Sequence, residues 1–186
     1  MSDLNLNLGC GSKRLENYLN VDKFGEPDLR VDLEQFPWPW EDNSVANIEL
    51  RHVLEHLGQK TETYLQIIQE IYRICQPQAK LHIVVPHHRS EYFLHDPTHV
   101  RPITVYGMKM FSKKFNQECA EKGYSTTPLG TYIGVDFEIL EVNYVPDERW
   151  YKREPDWTGD IDYLLEQSSF YNNLIMEVDM MLTVIK

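Results

Sequence analysis

A chain of 186 residues, 42% hydrophobic and 25% charged, is long enough for one sizeable core and too short for two ordinary domains; this excludes a disordered or fibrous protein and predicts a single domain over 1–186. The 18 Lys and Arg stand against 29 Asp and Glu, and the formal charge of -11 repels phosphate backbones and anionic lipid, which argues against nucleic acid or a membrane as partner. With no apolar run of spanning length and no basic-then-apolar leader, a cytoplasmic location is expected.

Residues 4–8 alternate apolar and polar and meet Gly9-Cys10-Gly11, which reads as a short strand ending in a tight turn with exposed backbone. A second strand is predicted over 18–21, ending at Asp22, and a third over 29–31, ending at Asp32. Two prolines between Phe36 and Trp40 exclude regular helix or central strand there and leave a rigid aromatic loop. After the turn signal at 41–44, residues 45–50 form a fourth strand candidate, followed by Arg51-His52-Val53-Leu54-Glu55-His56. Over 61–75, Tyr64, Leu65, Ile67, Ile68, Ile71, Tyr72 and Cys75 recur at three and four residues and predict an amphipathic helix stopped by Gln76-Pro77. The run 81–85 reads as a strand buried on both faces of a sheet and ended by Pro86. Next come a histidine-rich loop over 87–101, a helix over 106–122 closed by Gly123, and two long strands over 137–144 and 174–185. The segment 145–173 between them is an aromatic and acidic insertion with a short helix at 161–170. Strands alternating with helices predict an open, doubly wound, mostly parallel α/β sheet of Rossmann-like type, and the last pair, joined without a crossover helix, predicts an antiparallel hairpin at one edge.

Ligands of such sheets sit beyond the carboxyl ends of the strands, where strand order reverses. Gly9 and Gly11 let backbone approach a ligand there, Asp22 can accept bonds from ribose hydroxyls, and Asp32 can accept from an exocyclic adenine amine beside Leu33 and Phe36. A nicotinamide dinucleotide fits less well, because Arg14 stands where the third glycine of GxGxxG would be. The ordered segments LNLGCGS, NVD, VDL with FPW, NSVANIELRHVLEHL and QEIYRICQPQAKLHIVVP, over about residues 4–86, resemble the signatures of class I S-adenosylmethionine-dependent methyltransferases. Within that class the chain is similar to short predicted methyltransferases with a DPTHxRP segment, here residues 96–102. The resemblance implies S-adenosylmethionine as cofactor and a seven-stranded sheet whose last strand is antiparallel. It further implies Asn7, Gly9, Cys10 and Gly11 at the methionine end, Asp22 at the ribose, Asp32 and Leu33 at the adenine, and Arg51 and His52 beside the methyl group. Three departures stand out: Asn7 replaces a commonly acidic residue, the short gap from Gly11 to Asp22 limits the first helix to a turn or two, and the N-terminal region is shortened.

Four of the seven histidines, His87, His88, His95 and His99, fall in the loop after the fifth strand. A histidine there suits proton removal from an acceptor, so His99 is expected as base with Asp96 orienting it, and His95 or His52 as substitutes. The alternative role for Asp96 is to cap its own turn. His56 and Glu55 are read as structural, and Cys10, Cys75 and Cys119, odd in number without a CxxC pair, as reduced thiols. No compact ligand motif such as HExxH is present, so no metal is assigned. The expected function is methyl transfer to oxygen or nitrogen of a small polar metabolite, in the class of sugars or natural-product intermediates. Two other readings are an idle cofactor-binding subunit acting by dimerisation, which makes a homodimer a candidate assembly, and a metal-dependent enzyme built on the 87–99 loop. The aromatic insertion is expected to act as a lid.

Overall fold

The computed structural model describes residues 4–186. Its strands are β1 (Leu4–Leu8), β2 (Leu19–Asp22), β3 (Leu29–Arg30), β4 (Val45–Arg51), β5 (Cys75–Pro86), β6 (Phe137–Pro146) and β7 (Ile175–Val184). They form one seven-stranded sheet in the order β3-β2-β1-β4-β5-β7-β6. Neighbours from β3 to β5 are parallel, and β7 lies antiparallel between β5 and β6. The expected mostly parallel sheet with a reversed last strand is present, with β6 at the edge. Strand order reverses between β1 and β4, which opens the crevice where a ligand site is expected.

Successive side chains on a strand point to opposite faces, so the paired residues sort the sheet into rows. One face carries the rows Leu6, Ile48, Leu81, Leu182 and Leu50, Ile83, Met180, all buried. It shares a core with α1 (Thr61–Ile74), whose Tyr64, Ile67, Ile68, Ile71 and Ile74 are buried at the spacing expected of a helix stripe. The other face carries Asn5, Asn47, Lys80, Thr183 and Asn7, Glu49, His82, Met181. There the polar groups satisfy one another across strands: Asn47 Nδ2 donates to Asn5 Oδ1 at 2.7 Å and Asn7 Nδ2 to Asn20 Oδ1 at 2.9 Å. His82 bridges Glu49 on β4, at 3.0 Å, and Asp179 on β7, at 2.8 Å. The middle of β5 is therefore apolar on one side and partly polar on the other, unlike the fully apolar strand expected.

The connections after β1, β2 and β3 carry turns and loops with no helix among the described residues. Side chains do the capping instead: Asn20 Oδ1 accepts from Leu15 N, and Asp28 Oδ2 accepts from Asn20 N. The strand β5 starts earlier than predicted and runs through Pro77, because three extra residues bulge out where Val45 and Asn47 face Cys75 and Lys80, with Gln78 at φ +65°. The helix predicted over 106–122 is broken into α3 (Val105–Lys109) and α4 (Lys113–Glu121), since Ser112 caps a new start by accepting from Phe115 N at 3.1 Å. Between them and β5 lies α2 (Glu91–His95), and α5 (Leu129–Ile133) precedes β6. The insertion holds α6 (Glu148–Arg153) and the expected α7 (Ile161–Phe170) around a small core of its own, Trp150, Leu164, Leu174 and Ile175. No helix of the described residues is long and apolar enough to cross a membrane.

Truncating Ile68, 1% exposed on α1, to Ala should cost about 2–5 kcal/mol in denaturant unfolding, whereas Leu140→Ala, 51% exposed on β6, should cost under about 0.5 kcal/mol.

Candidate functional site

The turn after β1 is forced close to the segment after β4. Gly9 sits at φ +65°, and a Cβ built on it would lie 2.6 Å from Val53 Cγ2, so no side chain fits there. Two cavities meet at this glycine. The first, of about 210 Å³, is lined by Gly9, Asp22, Asp32, Leu33, Val53 and His56 among others. The second, of about 260 Å³, is lined by Asn7, Gly9, Cys10, Lys13, Leu15 and Arg51. Together they reach the roughly 300–1,000 Å³ of small-molecule sites.

Asp22 closes the turn: Oδ2 accepts from Gly11 N and Oδ1 from Phe24 N, both at 2.8 Å. Each carboxylate oxygen has a second acceptor site, so two further bonds can be made. Asp32 accepts from Glu34 N at 3.0 Å and has Lys23 Nζ at 3.9 Å, beside the buried Leu33. In the second cavity Asn7 Nδ2 is committed to Lys13 O and Asn20 Oδ1, which leaves its Oδ1 as acceptor. Cys10 is buried with its amide bonded to Val21 O, and burial first, then Asp22, raises its thiol above the ordinary range. Arg51 is tied back to Glu49 at 3.1 Å. Lys13 and Arg51 give this half a positive lining.

His52 adopts φ +55° at the end of β4 and places Nε2 3.2 Å from Glu177 and Nδ1 3.4 Å from Glu55. The Glu177 carboxylate first, and Glu55 second, hold its pKa up at about 9. Leu54–His56 form a 3-10 turn, and Val100 N and Arg101 N both bond Glu55 O, which fastens the histidine loop onto it. His99 is thereby set edge-on to His56, ring centres 4.5 Å apart, with Nδ1 2.7 Å from Phe93 O. A carbonyl only accepts, so Nδ1 carries the proton and Nε2 keeps its lone pair. Asp96 spends Oδ1 on Thr98 N and Oγ1, the turn-capping role, and its Oδ2 is 4.0 Å from His99 Nε2, so the expected orienting bond is not formed. His95 is exposed at the end of α2.

The structure thus collects Asn7, Gly9, Cys10, Asp22, Asp32, Leu33, Arg51 and His52 at the strand reversal, with Gly11 held by Asp22, and sets His99 on the far side of His56. Lys13, Val53, Glu55, His56 and Glu177 belong to the same region and are not among the expected site residues. Glu177 comes from β7, far along the chain, and no local pattern could have flagged it. Size alone would choose a third cavity of about 540 Å³, lined by His88, Arg89, Tyr106, Lys109 and Ser168 among others, but it shares no lining residue with the other two. The insertion lines this larger cavity and none of the two at Gly9; Arg89 donates to Ser168 O and Ser169 O, and Arg149 binds Glu91 at 2.7 Å.

No protein-family model and no curated protein matches the sequence. Solved structures match the fold. A SAM-dependent methyltransferase from Archaeoglobus fulgidus superposes with TM-score 0.63 at 14% identity over 97% of this chain and 86% of that one. The 1,6-didemethyltoxoflavin-N1-methyltransferase of Burkholderia thailandensis, solved with 1,6-didemethyltoxoflavin and S-adenosylhomocysteine bound, gives 0.53 at 13% over 98% and 71%. The [4+2]-cyclase SpnF gives 0.54 at 14% over 99% and 77%. The chain has the class I S-adenosylmethionine-dependent methyltransferase fold.

Replacing Gly9 with Ala should destabilise by more than about 2 kcal/mol, because backbone strain and the Val53 clash add, while Gly11→Ala, with nothing within 4 Å, should cost about 1 kcal/mol, both read by thermal unfolding. His87 offers a pH test. Burial first, then His88 and Arg89, push its pKa from 6.5 down to about 4, so the unfolded chain binds the extra proton between those values. Stability should be intact above pH 6.5, fall as pH drops, and lose up to about 3 kcal/mol by pH 4; His87→Gln should flatten that slope.

Proposed function

We propose that the chain is a cytoplasmic S-adenosylmethionine-dependent methyltransferase acting on oxygen or nitrogen of a small polar metabolite. The observation that carries this reading is the pair of cavities meeting at Gly9, with Asp22 and Asp32 along one and Lys13 and Arg51 along the other. Asp22 would hold the ribose hydroxyls with its remaining acceptor sites. Asp32 and Leu33 would hold the adenine, with Phe24, Val31 and Leu57 supplying apolar contact. Lys13 and Arg51 suit the carboxylate of the methionine tail, and Asn7 Oδ1 its ammonium.

When bound, the cofactor supplies a methyl group on a sulfonium, activated for in-line displacement. The residues of the chain then align the acceptor and take up its proton. His99 keeps Nε2 free and is mostly buried, so it remains the first choice for acceptor activation, with Asp96 acting through the turn it caps. A small acceptor is favoured by the net negative charge and by the modest volume of the cleft.

Calorimetry with S-adenosylmethionine and S-adenosylhomocysteine is the deciding experiment, and absence of binding by both ends this reading. Asp22→Ala should weaken binding about 10- to 100-fold, the loss of two charge-assisted bonds. His99→Ala should slow turnover about 10²- to 10⁴-fold with cofactor affinity unchanged; an unchanged rate moves acceptor activation elsewhere. Binding with no transfer to any acceptor would point to a non-methylating use of the fold.

A further inference from the structure

We propose that Glu55, His56 and His99 form a binding site for one divalent transition-metal ion of the zinc, iron(II) or manganese class at the edge of the cleft. One ligand atom from each of the three residues lies within 4.8 Å of the others. Glu55 comes from the 3-10 turn after β4, 0% exposed, and neither of its carboxylate oxygens has a hydrogen-bond partner. His52 Nδ1, 3.4 Å from Oε1, gives it a charged neighbour without hydrogen-bond geometry. His52 balances part of this buried charge from 3.4 Å, yet neither oxygen has a donor, and an ion bound there would supply the partner that burial removes.

The two imidazoles are each anchored through Nδ1, as metal-bound histidines commonly are. His99 Nδ1 is spent on Phe93 O at 2.7 Å. His56 Nδ1 meets Thr98 Oγ1 at 2.9 Å, and that hydroxyl gives its own proton to Asp96 Oδ1 at 2.6 Å. The hydroxyl can therefore only accept from His56, whose Nδ1 must carry the proton. Both Nε2 atoms keep their lone pairs, and both rings are anchored through the opposite nitrogen, the usual support of metal-bound histidine. Asp96 thus acquires a use beyond turn capping: through Thr98 it fixes the tautomer of His56.

Two imidazoles and one carboxylate suit a transition metal over magnesium or calcium, which prefer all-oxygen sets. Bond lengths of about 2.0–2.2 Å put tetrahedral donors about 3.4 Å apart, so the three must draw in by roughly an ångström. Main-chain bonds from Val100 and Arg101 to Glu55 O already hold the two segments together. Three protein donors leave room in the coordination sphere for water or an acceptor oxygen, and His56 also lines the 210 Å³ cavity. Metal binding stands apart from methyl transfer; only the use of the ion toward an acceptor rests on the function proposed above. In that use His99 serves as ligand rather than as base.

The test is calorimetry of the full chain, stripped with chelator and dialysed, titrated with Zn²⁺ and separately with Co²⁺, whose visible absorption reports coordination. One ion per chain is expected, with His56→Ala, His99→Ala and Glu55→Gln each weakening binding at least tenfold and His88→Ala changing it less than twofold. Circular dichroism checks the fold of each variant, and His99→Ala carries the test if Glu55→Gln does not fold. No binding by the unaltered chain, binding that survives both His56→Ala and His99→Ala, or binding lost with His88 overturns the site. S-adenosylmethionine titrated into the same metal-free samples separates the two failures: cofactor without metal sinks this proposal alone, and metal without cofactor sinks only the methyltransferase reading.

Discussion

The approach of Gly9 to Val53 is the constraint on which the rest of the site depends. A Cβ at position 9 would overlap both methyl groups of Val53, so the turn after β1 and the segment after β4 can pass only as bare backbone against side chain. That passage falls where strand order reverses, and the two cavities are its flanks. Gly11, two residues on, is then in reach of Asp22, whose carboxylate holds the turn while keeping acceptor capacity for a ligand.

Charge is distributed against the average of the chain. A molecule of formal charge -11 places Lys13 and Arg51 in one cavity of its cleft and His52 in the other, and it buries Glu55 beside His52. Each of these cations except Lys13 is held by a carboxylate: Arg51 by Glu49 two residues back on the same strand, and His52 by Glu177 of β7 and Glu55 of the 3-10 turn. The local field of the cleft is thus set by fixed partners and changes little with the orientation of surface side chains.

The sheet, its reversed last strand and the carboxylates at strand ends were legible because each rests on a local pattern: alternation over 4–8, Asp at the ends of two short strands, a helical stripe on α1. What escaped was decided by particular hydrogen-bond partners, one of them local and the others distant in sequence. Ser112 splits a helix because its hydroxyl finds Phe115 N, a contest between capping and continuation that apolar spacing does not record. The junction of Glu55 with the histidine loop depends on amides at 100 and 101, and the clamp on His52 on Glu177 in β7, neither of which has a signature near its partner. The insertion was recognised by its aromatic density, yet its tryptophan core packs beside the 540 Å³ cavity and away from Gly9, where Arg89 and Arg149 bridge it to the segment after β5.

The asparagine pairs on the polar face carry a further consequence. Sliding one strand along its neighbour by two residues would return every apolar side chain to the same side, so the hydrophobic layer alone tolerates that error. Asn5 with Asn47 and Asn7 with Asn20 do not, because each amide has a matching group at one position of the adjoining strand. These bonds act as a vernier: the oily side selects which way the strands face, and the amides select where along their length they stop.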